Sequence, residues 1–106
     1  MPNYAFTYYG EPKFERPEEG AKHMEKWQAW MGGLGDAMVN PGVPFGAAKL
    51  VSSAGVSDDP ASNSNRVTGF SVVKAASMDA ALEMAKACPH LEHGTIGVAE
   101  AMEMDM

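Results

Sequence analysis

Basic residues and cysteine are scarce in this chain, and long apolar runs are missing. Eight Lys and Arg stand against 14 Asp and Glu in 106 residues, a net charge of -6. Such a surplus repels phosphate backbones and anionic lipid surfaces, so no nucleic-acid partner is expected. The single cysteine, Cys88, has no partner for an internal disulfide. No apolar stretch approaches the roughly 18 residues of a membrane span, so no membrane partner is expected either. The opening Met1-Pro2-Asn3-Tyr4 lacks the charged and apolar regions of a signal peptide, which makes the cytoplasm the expected location. There is also no Gly-rich phosphate loop, no serine elbow and no internal repeat.

What is present is the composition of one globular domain spanning 1–106: 45% apolar residues, with 11 Gly and 7 Pro spread along the chain. Asn3 to Tyr9 reads as a strand, because Tyr4, Phe6 and Tyr8 alternate with Asn3, Ala5 and Thr7. Pro17-Glu18-Glu19 has the signature of a helix first turn. Counted from His23 at 100° per residue, Trp27, Trp30, Met31, Leu34 and Met38 fall within roughly 100° of arc, an apolar stripe facing a core. That helix is expected to end between Met31 and Met38, where Gly32, Gly33 and Gly35 weaken it. Val39 to Gly46, with Pro41, Gly42 and Pro44, reads as turns or an irregular edge. Ala47 to Ser52 reads as a short strand, and the polar stretch Ser53 to Asn65 as a long surface loop. Val67 to Ala75 is a further strand. Ser77 is an N-cap for a helix running to about Ala87, with Met78, Ala81, Leu82, Ala85 and Cys88 as its buried stripe. A last strand spans Thr95 to about Met102.

Strand, helix, strand, strand, helix, strand is the βαββαβ order of a ferredoxin-like α+β fold, a four-stranded antiparallel sheet with two helices on one face. The other face needs cover, and a second copy of the chain is the simplest source, which predicts a symmetric homodimer. Gly69 and Ser71 in one strand and Gly97 and Ala99 in another are expected to line up small side chains on one side of the sheet. The nine methionines fit helices whose core is filled or edged by Met24, Met31, Met38, Met78 and Met84.

Several segments together resemble the YCII-related family of small bacterial proteins. They are His23-Met24-Glu25-Lys26-Trp27-Gln28-Ala29-Trp30, Asn40-Pro41-Gly42, Val67-Thr68-Gly69-Phe70-Ser71-Val72-Val73 and Ala87-Cys88-Pro89-His90-Leu91. The resemblance runs over nearly the whole chain. It implies a dimeric α+β barrel, a fold shared with muconolactone isomerases and other small enzymes that act on cyclic or aromatic compounds. It also implies that His23 takes the place of a helix histidine used by some members with an acidic partner. The chain departs from one branch of the family in carrying Cys88 and His90 where that branch has Asp and an aromatic residue, and it lacks the Asp-Gly-Pro-Phe run of another.

Read from the residues, His23 lies in the apolar stripe one turn before Trp27, a setting for a partly desolvated general base; the plainer reading is a core histidine that anchors the helix start. Trp27 is expected to wall a pocket for a planar ligand, or simply to fill core. Tyr8 and Lys49, like Tyr4, Tyr9 and Lys74, are strand residues able to bind a phenolic or anionic group beside His23. Cys88, His90, Glu92 and His93 put four potential ligands within six residues, but their spacing and the lack of a second cluster speak against a metal site. His90 is expected to cap the last carbonyls of the second helix. With the two helices taken as parallel, His23 and Cys88 would lie more than about 15 Å apart, which excludes a Cys–His dyad within one subunit. The resulting expectation is a protein that performs His23-assisted proton transfer, without a cofactor, on a small cyclic or aromatic molecule, in isomerase or lyase fashion. The alternative is a non-catalytic binding, accessory or regulatory dimeric domain.

Overall fold

In chain order the elements are β1 (Asn3–Tyr9), α1 (Pro17–Leu34), β2 (Met38–Asn40), β3 (Ala48–Ser52), β4 (Gly55–Asp59), β5 (Val67–Lys74), α2 (Met78–Lys86) and β6 (Thr95–Ala101). The computed structural model describes residues 1–102, so residues 103–106 of the acidic tail lie outside the described residues. No helix among the described residues is long and apolar enough to cross a membrane.

The fold is α+β. β1 occupies the middle of a four-stranded antiparallel sheet of order β2-β5-β1-β6, an arrangement compatible with a ferredoxin-like fold. The expected alternation is present in β1. Tyr4, Phe6 and Tyr8 are buried toward the helices, and Ala5, Thr7 and Tyr9 are half-buried on the other face. Pro17 opens α1 with Glu18 and Glu19 in its first turn, and Gly35, at φ 54°, ends it by donating its N–H to the Met31 carbonyl. Ser77 caps α2 by accepting from the Ala80 N–H at 3.2 Å.

The middle of the chain departs from the sequence reading. Ala48–Ser52 does not join the main sheet; it pairs with β4, inside the stretch expected to be loop, to form a separate two-stranded ribbon. A four-residue turn explains this. Ser52 Oγ accepts from the Ala54 N–H at 3.2 Å, and Gly55 takes the left-handed φ of 132°. Closing so short a loop costs less entropy than pairing across the domain. The sheet's second strand is instead β2, on the irregular edge, followed by an isolated bridge from Pro44 to Gly69.

Cross-strand register corrects two further expectations. Gly69 and Ser71 stand opposite Tyr8 and Phe6 on the helix-covered face, whereas Gly97 and Ala99 stand opposite Thr7 and Ala5 on the open face, so the small residues do not share a side. The helices are antiparallel rather than parallel. Each one runs back over the strand that precedes it, and β1 and β5 are antiparallel. Trp30 Nε1 accordingly donates to the Met84 carbonyl at 3.0 Å, and Lys26 pairs with Glu92 at 2.9 Å.

The core lies between the helices and the sheet. Phe6 and Val73 are fully buried there, with Phe6 stacked on Trp30 at a centroid distance of 6.2 Å. Ala81 and Ala85 are the buried stripe of α2, continued by Cys88 just past its end, while Met78 and Leu82 remain exposed. At 100° per residue Leu82 lies roughly 100° round the helix from Ala81, on its flank, and Met78 is the first residue of the helix. Of the methionines, Met31, Met38 and Met84 pack on the core, Met38 from β2 rather than from a helix, and Met24 is exposed.

Candidate functional site

Beyond the Tyr8 end of β1, side chains no longer fill the space between α1 and the sheet. A cavity of about 410 Å³ opens there, walled by Phe14, Trp27, Met31 and Phe45, with Tyr8, His23 and His90 also on its lining. The loops that close it are fixed by backbone demands. Gly42 has φ 72°, and a Cβ on it would fall on the Phe70 carbonyl oxygen, so the chain passes β5 only because this residue has no side chain. Its N–H donates to Asn40 Oδ1 at 2.8 Å. Arg66, almost fully buried, pairs with Glu11 at 3.2 Å and also donates to the Gly46 carbonyl, which ties the loop after β1 to the loop after β2. Among the described residues Glu11 is the only carboxylate or ammonium residue on the lining, and it is paired with Arg66.

His23 comes from α1 one turn before Trp27, as the helical period predicts. Trp27 Nε1 donates to His23 Nε2 at 2.8 Å. An indole N–H can only donate, so Nε2 holds the ring's lone pair and the proton of the neutral ring sits on Nδ1. Phe14 and His93 flank the imidazole, at centroid distances of 5.3 and 4.8 Å. Burial, and then the neighbouring His93, lower the His23 pKa below its usual 6.5, against an opposing pull from Glu92. At neutral pH the ring is uncharged. No carboxylate hydrogen-bonds it among the described residues, and Glu92 is engaged by Lys26.

His90 was not assigned to the pocket from sequence, and it does not cap α2. The antiparallel helices bring the turn Pro89–Glu92 under Tyr8, where the rings of Tyr8 and His90 lie 5.3 Å apart. His90 Nε2 is 2.8 Å from the Tyr9 carbonyl oxygen. A carbonyl only accepts, so here the proton is on Nε2 and the lone pair on Nδ1. Burial lowers the pKa of this ring also. Gly94 permits the contact, since a Cβ there would meet both the Tyr9 oxygen and the His90 ring. Glycine after a histidine reads as an ordinary turn in sequence, so no local signal disclosed this role.

Tyr8 and Trp27 both line the cavity, as expected, with ring centroids 5.1 Å apart. The Tyr8 hydroxyl donates to Ser71 Oγ at 2.8 Å, and Ser71 donates to the Pro41 carbonyl at 2.9 Å. Burial holds its pKa well above the usual phenol range. Lys49 does not belong to the site. It projects from β3 and pairs with Asp58 across the ribbon at 2.7 Å, because β3 left the main sheet. Tyr4 is in the core, and Lys74 stands opposite Asn3 at the other end of the sheet. Cys88 is buried beside Trp30 in a groove between the helices, and burial pushes its thiol up to about 11. Helix direction therefore does not keep Cys88 far from the His23 end of α1; its burial and its protonated thiol are what disfavour a dyad. Among the described residues no three His, Cys, Asp or Glu side chains are grouped to hold a metal ion.

No protein-family model matches the chain, and none of the curated proteins compared with it does so.

Proposed function

We propose that the chain is a YCII-related protein that works as a homodimeric α+β barrel and takes a small, neutral cyclic or aromatic molecule into the cavity beside His23. The reaction is a cofactor-free proton transfer of isomerase or lyase type. The observation that carries this reading is a half-buried, uncharged histidine on the lining of a largely apolar cavity. In the resting arrangement His23 offers an N–H, so its first act on a ligand is to donate a hydrogen bond to an acceptor such as a carbonyl. Service as the expected base requires the Trp27 hydrogen bond to open first.

The dimer is supported by the open face of the sheet, where Ala5, Phe70, Val72 and Ala99 have no helix over them. A sedimentation mass near twice 11.3 kDa is expected.

A second reading, a non-catalytic binding or accessory domain, is favoured by the engaged Nε2 lone pair and the lack of a carboxylate partner for His23. One variant separates the two. Screened against small cyclic and aromatic ketones and lactones, His23→Asn loses turnover while retaining nearly full binding if the protein is an enzyme. Binding without turnover in the unaltered protein selects the second reading, and absence of both rejects the cavity as the functional site.

A further inference from the structure

The two cavity histidines have opposite hydrogen-bonding faces, and each face is set by a partner with only one role. Trp27, a pure donor, occupies the lone pair of His23 and leaves it an N–H at Nδ1. The Tyr9 carbonyl, a pure acceptor, occupies the N–H of His90 and leaves it a lone pair at Nδ1. Arg66 Nε is the only sealed side-chain nitrogen or oxygen without a partner among the described residues. His90 Nδ1 has no hydrogen bond among the described residues, and His90 is on the lining of the cavity.

We propose that His90 is the acceptor half of a donor–acceptor pair with His23, and that this pair selects uncharged planar rings bearing both a carbonyl and an N–H or enolic O–H, as cyclic amides do. This rests on the reading of the cavity as a ligand site and specifies the ligand. His23 Nδ1–H donates to the ring carbonyl, and His90 Nδ1 accepts from the ring N–H or O–H. Trp27 and Phe45 supply flat walls for the ring. Carboxylates are disfavoured, because among the described residues no Lys or Arg lines the cavity. A ring lacking the N–H leaves the buried His90 lone pair without a donor and forfeits one hydrogen bond to a desolvated group. His90 acts here as a specificity-determining residue.

The test uses the full-length chain labelled with nitrogen-15, with 2-pyridone and 4-pyridone as probes and their N-methyl forms as controls. In the free protein, long-range proton–nitrogen correlation at pH 7.5 should show protonated Nδ1 on His23 and protonated Nε2 on His90. The opposite tautomer on either ring overturns the proposal without any ligand. On titration, at least one pyridone should shift the His23 and His90 ring nitrogens and bind about tenfold tighter than its N-methyl form. His90→Phe should abolish that preference, whereas Trp27→Phe, which frees the His23 lone pair and relaxes its tautomer without touching His90, should weaken a pyridone and its N-methyl form alike and keep the preference. Equal binding of a pyridone and its N-methyl form overturns the pair while leaving the cavity reading intact. Binding of none of the four rings overturns both.

Discussion

The two ends of β1 are buried for different reasons. At the Tyr4–Phe6 end, burial comes from side chains meeting side chains: Phe6 and Val73 against Trp30, Ala81 and Ala85. At the Tyr8 end it comes from backbone and hydrogen bonds: Gly42 against β5, Arg66 between two loops, Ser71 to Pro41 and His90 to Tyr9. The first end is filled, and the second is held open. Short alanines let α2 approach the sheet closely, whereas at the Tyr8 end loops rather than a helix face α1 across the sheet and leave the volume that a ligand needs.

The heaviest way to break this contrast is to open a hole at the filled end. Phe6→Ala should cost about 3–5 kcal/mol in denaturant unfolding, since the site cannot collapse under a full sheet. A cost under about 1 kcal/mol would mean that this end is as loosely filled as the other.

Acid should act on the open end. His23 and His90 both have pKa values lowered below 6.5 in the folded chain, so below about 6.5 the unfolded chain binds more protons than the folded one. Stability is then full above that pH and falls as the solution is acidified toward the folded values. The melting temperature should drop between pH 7.5 and 5.5, and His23→Asn should flatten the slope. A flat profile in the unaltered protein would place the charge-sensitive part of the molecule elsewhere.

Lys49→Ala should do least, with a stability change within about 0.5 kcal/mol, because its ion pair with Asp58 is solvent-exposed on both sides. Any change in ring binding by that variant would draw the ribbon into the site and blur the distinction between the two ends.

The sequence made the filled end easier to read than the open one. Period-two aromatics in β1, the Pro17 and Ser77 starts and the valine-rich β5 are local signals that the packed core also demands, so these elements appear with nearly the expected limits. His23, Trp27 and Tyr8 were legible as a group because helical and strand periods place them on the side facing one another. β2 was not, since three residues paired only at an edge carry no period of their own. β4, Gly-Val-Ser-Asp-Asp, has little strand propensity and exists because a turn at Ser52–Gly55 folds it onto β3. His90 was misread because its partner, the Tyr9 carbonyl, is 81 residues away in the chain and is reached only once helix direction is known.

That ribbon carries Leu50, Val51 and Val56 at 53, 80 and 65% exposure, and its strands hydrogen-bond only to each other. Two strands alone are marginal in water. The ribbon pairs with no strand of the main sheet, so changes at its exposed tip should leave the cavity unchanged. It is also the place where a protease would make its first cut, and where a foreign peptide could be grafted at little cost to the rest of the molecule.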